Sequence, residues 1–165
     1  MRGSVVLAAL LLGAMPAFAE EPTGCDAFKW PVDLERAALF TASQQKVASG
    51  ADVTTVAAES VSLKPLADAR LPRPPERGPK DGTFAGFVTV RNIDAGTYTV
   101  SVSDHAWIDV LQNGNYVKAM DFSSAKGCEG LRKTMKFQLS TAPATVQISG
   151  VEKNTINLVI LPAVK

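Results

Sequence analysis

From Thr83 onward, apolar side chains recur at every second position in short runs: Phe84, Val88 and Val90, then Tyr98, Val100 and Val102, then Met135 and Phe137. Successive side chains of an extended strand point to opposite faces, so this spacing predicts half-buried strands with those residues turned inward. Asn92-Ile93-Asp94-Ala95-Gly96, between the first two runs, is turn chemistry. Further strands are expected at Trp107 to Gln112, Asn115 to Asp121, Leu131 to Leu139, Thr145 to Gly150 and Ile156 to Leu161, and an earlier one at Glu59 to Lys64 with Val61 and Leu63 inward. The stretch from Asn157 to Leu161 is apolar on both parities, which predicts a strand covered on both faces. Eight such runs at short spacing predict a mainly β fold, an antiparallel β-sandwich of jelly-roll-like form.

Ahead of the strands the period changes. Pro31 suits a first helical position, Asp33 and Glu35 suit the positive end of a helix, and Leu34, Ala37, Ala38 and Thr41 fall on one side with Phe40 adjoining. A short helix from Val32 to Lys46 is expected, packed on the sandwich. Residues 65–82 carry five prolines and two glycines, so they read as an extended connector. Its Arg70, Arg73, Arg77 and Lys80 are either a docking strip or the charges of a solvated loop over a sheet edge. The chain thus divides into a leader (1–19), a helical arm (20–52) and a β-sandwich domain (53–165) containing the connector.

Asn113-Gly114 is the strongest hairpin signal in the chain. A two-residue turn there sets Ile108 opposite Ala119 and Val110 opposite Val117 on a core face. The other face would pair Trp107 with Met120, Asp109 with Lys118 and Leu111 with Tyr116. Two readings of that face stand open. It is a platform that seats a sugar ring or a peptide on Trp107, Tyr116 and Met120, with Asp109 and Lys118 as polar anchors. Otherwise the N-terminal helix lies over it, bringing Leu34, Ala38 or Phe40 near Trp107.

The first residues read as an exported leader: Arg2, an apolar run from Val5 to Met15, then Ala17-Phe18-Ala19, with cleavage expected before Glu20. The run is shorter than the roughly 20 residues of a transmembrane helix, so no membrane span is expected. Of 17 Lys and Arg, Arg2 goes with the leader, leaving 16 against 16 Asp and Glu. Such balance offers no electrostatic case for nucleic acid. Cys25 and Cys128 both lie in the exported part, where an oxidising periplasm favours a disulfide. Lipidation of Cys25 is the competing reading, but Pro22-Thr23-Gly24 is not a leucine-led lipidation motif.

Candidate chemistry is sparse. His105 is the only histidine, and as neighbours on one extended strand Ser103, Asp104 and His105 do not form a nucleophile-base-orienter set. One histidine and two paired cysteines fall short of a zinc or iron site, and the acidic residues lack calcium-loop spacing; no cofactor is expected. Gly127-Cys128-Glu129-Gly130-Leu131-Arg132-Lys133 is the other unusual cluster, in which Arg132 is a candidate grip for an anionic ligand.

With Ala95-Gly96-Thr97-Tyr98-Thr99-Val100 read as a strand opening, residues Thr83 to Ala163 resemble small exported bacterial β-sandwich domains, including the pre-peptidase C-terminal type. The order of leader, Cys-x-x-x-Lys-Trp at Cys25, Ala95-Gly96-Thr97-Tyr98, the strand Asp104 to Val110 and the segment Gly127 to Lys133 resembles a group of uncharacterised proteobacterial periplasmic proteins. Some of these carry a homogentisate dioxygenase label, which implies two histidines and a carboxylate on iron; His105 alone does not supply them. The expectation is therefore a periplasmic, non-enzymatic binding or envelope-associated protein whose ligand is a small molecule, a glycan or a protein. Its rivals are an enzyme assembled only by folding and an inhibitor presenting residues 122–130 to a periplasmic enzyme.

Overall fold

The computed structural model describes residues 20–42, 45–78 and 80–164. The leader lies outside the described residues. One helix, α1 (Asp33–Thr41), precedes the strands β1 (Lys46–Ala48), β2 (Asp52–Val53), β3 (Ala58–Ser62), β4 (Lys64–Pro65), β5 (Phe84–Val90) and β6 (Gly96–Val102). They are followed by β7 (Trp107–Gln112), β8 (Asn115–Val117), β9 (Ala119–Ser124), β10 (Lys133–Leu139), β11 (Ala144–Val151) and β12 (Thr155–Pro162). The strands form two sheets. The first runs β1-β3-β12-β6-β10-β9, and the second runs β2-β5-β11-β7-β8 with β4 also on β5.

Inward-facing residues of both sheets meet in one apolar cluster, with Val61, Val88, Val100, Val110, Phe137, Ile148 and Leu158 almost wholly shielded from solvent. Burying an aliphatic or aromatic side chain contributes about 1.5–3 kcal/mol, so this cluster is the main source of stability. The inward assignments of Val61, Leu63, Val88, Val90, Tyr98, Val100, Val102 and Phe137 hold. β12 is covered on both sides, as its double apolar parity implied: Ile156, Leu158 and Ile160 face the core, while Val159 and Leu161 join a second cluster under α1.

Twelve strands are present among the described residues where eight were expected. β1, β2 and β4 are two or three residues long and too short to show a period. The expected strand from Asn115 to Asp121 is two strands, β8 and β9, which belong to different sheets. The helix is also shorter than expected: it ends at Thr41, and Lys46 is already in β1.

The helix does not cover the Trp107 face. It packs on β12 and β3 of the first sheet, with Leu39 and Ala42 in the second cluster beside Ala58, Val159 and Leu131, while Leu34 and Phe40 stay exposed. Buried Glu35 accepts a hydrogen bond from the Thr99 hydroxyl at 2.9 Å, which ties the helix to β6. A disulfide joins Cys25 to Cys128 across 103 residues, with a Cα–Cα distance of 4.7 Å. Its anchor is the β9–β10 loop of the first sheet, so the tether draws the helix to that sheet and not to the hairpin.

The cover over the second sheet is the proline-rich connector. The Arg73 N–H donates to Gln147 Oε1 at 2.8 Å, the Glu76 N–H donates to Asp109 Oδ2 at 3.2 Å, and the Tyr116 hydroxyl donates to the Pro74 carbonyl. Side chains of the sheet thus answer the connector's backbone groups, accepting from the Arg73 and Glu76 N–H and donating to the carbonyl of Pro74.

Candidate functional site

Asn113 and Gly114 form the expected two-residue turn, both with positive φ (52° and 74°). The pairs Gln112–Asn115, Leu111–Tyr116 and Val110–Val117 follow the expected register. Beyond Val117 the pairing stops. Lys118 is the crossing point, and Ala119–Ser124 pairs with β10 of the other sheet instead. Asp109 therefore does not face Lys118, Ile108 does not face Ala119, and Trp107 does not face Met120. The physical consequence is a bare edge on the first half of β7. In an antiparallel pair alternate residues turn their backbone groups towards a given neighbour. In this register Ile108 and Ala106 turn theirs to the vacated side.

A cavity of about 230 Å³ wraps around that bare edge. Trp107, Ile108 and Asp109 of β7 form one wall, Ala119 and Phe122 of β9 with Lys133 and Met135 of β10 form the other, and Glu76 and Arg77 of the connector close it. A second cavity, also about 230 Å³, shares Arg77, Trp107, Phe122 and Lys133 and extends to Arg132, Glu21, Ser124 and His105. Because the two share four lining residues, they are one cleft organised around the indole.

Trp107 is held by its surroundings. β11 carries a bulge between Ile148 and Val151, and Gly150 there has φ 72°. The indole lies against this glycine: a Cβ on Gly150 would stand 2.9 Å from Trp107 Cδ1 and 3.3 Å from Nε1. The Arg77 guanidinium sits 4.8 Å, and the Lys133 ammonium 5.0 Å, from the indole ring centre, both within cation–π range. His105 meets the ring edge-on at 5.7 Å.

Lys133 enters the cleft from the first residue of β10, where its parity, shared with Met135 and Phe137, turns it towards the space between the sheets. Its ammonium donates to the Ala106 carbonyl at 3.0 Å, an acceptor left over by the missing strand. It makes no ion pair among the described residues. Burial, then the like charges of Arg77 and Arg132, push the Lys133 pKa down to about 8, against a smaller opposing pull from Asp109. Burial also raises the Asp109 pKa, partly offset by the Glu76 N–H hydrogen bond. Arg132 is occupied by Glu21, which also lies 3.4 Å from Lys126, and these cations hold the Glu21 carboxyl below its ordinary value. The imbalance of the site is thus concentrated at Lys133: a half-buried cation with no ion-pair partner among the described residues.

Of the residues singled out in the sequence, Trp107, Asp109 and Arg132 line this cleft. Tyr116 lies under the connector with the Arg73 guanidinium 5.1 Å from its ring centre. Lys118 is exposed at the crossing, and Met120 is exposed on β9 of the other sheet, so neither joins the cleft. Arg77, Phe122 and Lys133 also line the cleft and were not among the candidate ligand-binding residues. For Arg77 a signal existed in the charge strip of the connector; Lys133 stood in the unusual Gly127–Lys133 cluster, but only the folded topology sets it beside Trp107. Ser103, Asp104 and His105 do not form a relay. The Ser103 hydroxyl donates to Asp104 and accepts from the Asn157 N–H, and Asp104 is paired with Lys153 at 2.7 Å.

A wider hollow of about 410 Å³ lies beside α1, lined by Trp30, Leu34, Glu35, Lys136 and Val164 among others. Its aromatic face is taken by Lys136, 4.2 Å from the Trp30 ring centre, and its buried carboxylate is bonded to Thr99. The Trp107 cleft, with a cation still lacking its counter-ion, is the stronger candidate. Among the described residues no group of three or more His, Cys, Asp or Glu stands together as a metal site, and no helix is long and apolar enough to cross a membrane. Comparison with family models, curated proteins and solved structures finds no match for this chain.

Proposed function

We propose that this chain is an exported periplasmic binding protein of β-sandwich form, and that its ligand is a small molecule bearing a carboxylate or phosphate, held in the cleft around Trp107. The observation that carries the reading is Lys133. Half-burying a cation without a counter-ion costs free energy that one hydrogen bond and one cation–π contact offset only in part. An anion entering the cleft supplies the missing charge, with Arg77 as a second donor and the indole as an apolar wall. The leader sequence and the Cys25–Cys128 bridge support export.

The test is isothermal titration of the disulfide-bonded protein with phosphate and with a panel of small carboxylates, a hexuronate included. The reading expects one saturable site per chain. A charge-assisted hydrogen bond contributes about 1.5–3 kcal/mol, so Lys133→Gln should weaken binding roughly tenfold or more. Lys118→Ala, outside the cleft, should leave it unchanged. Absence of saturable binding across the panel, or equal affinity in Lys133→Gln, defeats the proposal.

A further inference from the structure

We propose that Lys133 is a nucleophilic amine, and that the ligand class of the cleft is anionic carbonyl compounds, 2-oxo acids above all, which it captures reversibly as an imine. This rests on the anion-binding reading of the same cleft and adds a covalent step to it. The geometry has the parts that such a capture needs. The amine projects into both lobes of the cleft. Its one hydrogen bond, to the Ala106 carbonyl, orients it without neutralising it. Arg77, which lines both lobes, is placed for the carboxylate of the substrate, while Arg132 at the far end is held by Glu21. Asp109, buried in the same cavity, is a carboxyl group within the enclosure where a proton must move.

The step balances within the site. The neutral amine adds to the carbonyl carbon, forming a C–N bond as the C=O π bond opens, and a proton passes from nitrogen to the new hydroxyl. Loss of that hydroxyl as water, with the second nitrogen proton, leaves the imine; hydrolysis reverses it. Asp109 relays this proton, taking it from nitrogen and passing it to the departing oxygen, and hydrolysis reverses both transfers. A lysine is unreactive while protonated, and desolvation beside other cations is an established way to make it reactive. A pKa of about 8 in place of 10.5 raises the neutral fraction near pH 7 by more than two powers of ten, and lower basicity takes back part of the gain. The charged groups facing Lys133 are Arg77, Arg132, Asp109, Glu76 and Glu21, with His105 at the edge of the indole.

The experiment incubates the disulfide-bonded protein with pyruvate and sodium cyanoborohydride, which reduces an imine to a stable secondary amine, and maps the adduct by peptide mass spectrometry. Labelling at Lys133 is expected to run at least tenfold faster than at the exposed Lys29, Lys118 or Lys153, and excess phosphate should suppress it. Lys133→Arg, which keeps the charge, should take no label at that position. Saturable binding of pyruvate by calorimetry with no preferential adduct at Lys133 overturns the covalent step and leaves the anion cleft standing. Neither binding nor adduct overturns both.

Discussion

Replacing Gly150 with alanine tests whether the bulge in β11 exists to seat Trp107. Two costs are expected. A side-chain-bearing residue held at positive φ costs about 1–2 kcal/mol, partly offset by the lower entropy of the unfolded chain. The new Cβ would also lie 2.9 Å from Trp107 Cδ1, a contact that no relaxed structure keeps. The ring cannot simply swing away, because Arg77 and Lys133 lie over it and His105 meets its edge. Overpacking of this kind costs about 1–3 kcal/mol. Gly114 provides the reference: its φ of 74° is nearly the same, and a Cβ there meets nothing within 4 Å. Gly114→Ala should therefore show the backbone cost alone, about 1 kcal/mol, and Gly150→Ala about 2–3 kcal/mol. For a domain of this size each kcal/mol moves Tm by about 2–4 °C, so the gap between the two variants should be roughly 2–8 °C in a calorimetric scan. Tryptophan emission should change only in Gly150→Ala. Equal losses in the two variants would refute the packing of the indole on this glycine.

Lys133→Met should raise stability by about 1 kcal/mol while abolishing anion binding, since it removes a desolvated charge but orphans the Ala106 carbonyl; chemical denaturation reads the first effect and calorimetry the second. The same group sets a pH dependence. Its folded pKa, about 8, lies below the unfolded value, so the unfolded chain holds the extra proton between them and stability rises with pH from about 8 towards 10.5. Denaturation midpoints measured across that range should climb in the wild type and flatten in Lys133→Met. Removing the disulfide as Cys25→Ser with Cys128→Ser should cost about 3–5 kcal/mol on the chain-entropy model for a loop of this length, seen as an earlier urea midpoint. Glu21→Gln frees Arg132 from its tethered carboxylate, so phosphate should bind several-fold more tightly in a titration; unchanged affinity would place Arg132 outside the ligand's reach.

The strand pattern was legible because parity is a local property: Val100 and Val102, or Val61 and Leu63, declare their inner face without reference to the partner. Which sheet a strand joins is not local. Asn115 to Asp121 reads as one strand because the chain stays extended through Lys118 while it passes from the second sheet to the first. That crossing frees the edge of β7 and creates the cleft, so the site depends on the one event the pattern does not encode. The cover of Trp107 was hidden for a related reason. The connector has no periodic face, and its hold on the sheet comes from single contacts such as Glu76 to Asp109 and Arg77 to the indole. Cys25 and Cys128, by contrast, admitted one pairing, and the bridge is formed.

The most direct measurement of the central claim uses Trp30→Phe, which leaves Trp107 as the sole tryptophan. Titrating this variant with phosphate at constant ionic strength should give a saturable change in emission that fits one site and vanishes when Lys133→Gln is added. A response that merely follows ionic strength, or that survives the loss of Lys133, would contradict the assignment of this cleft as an anion-binding site.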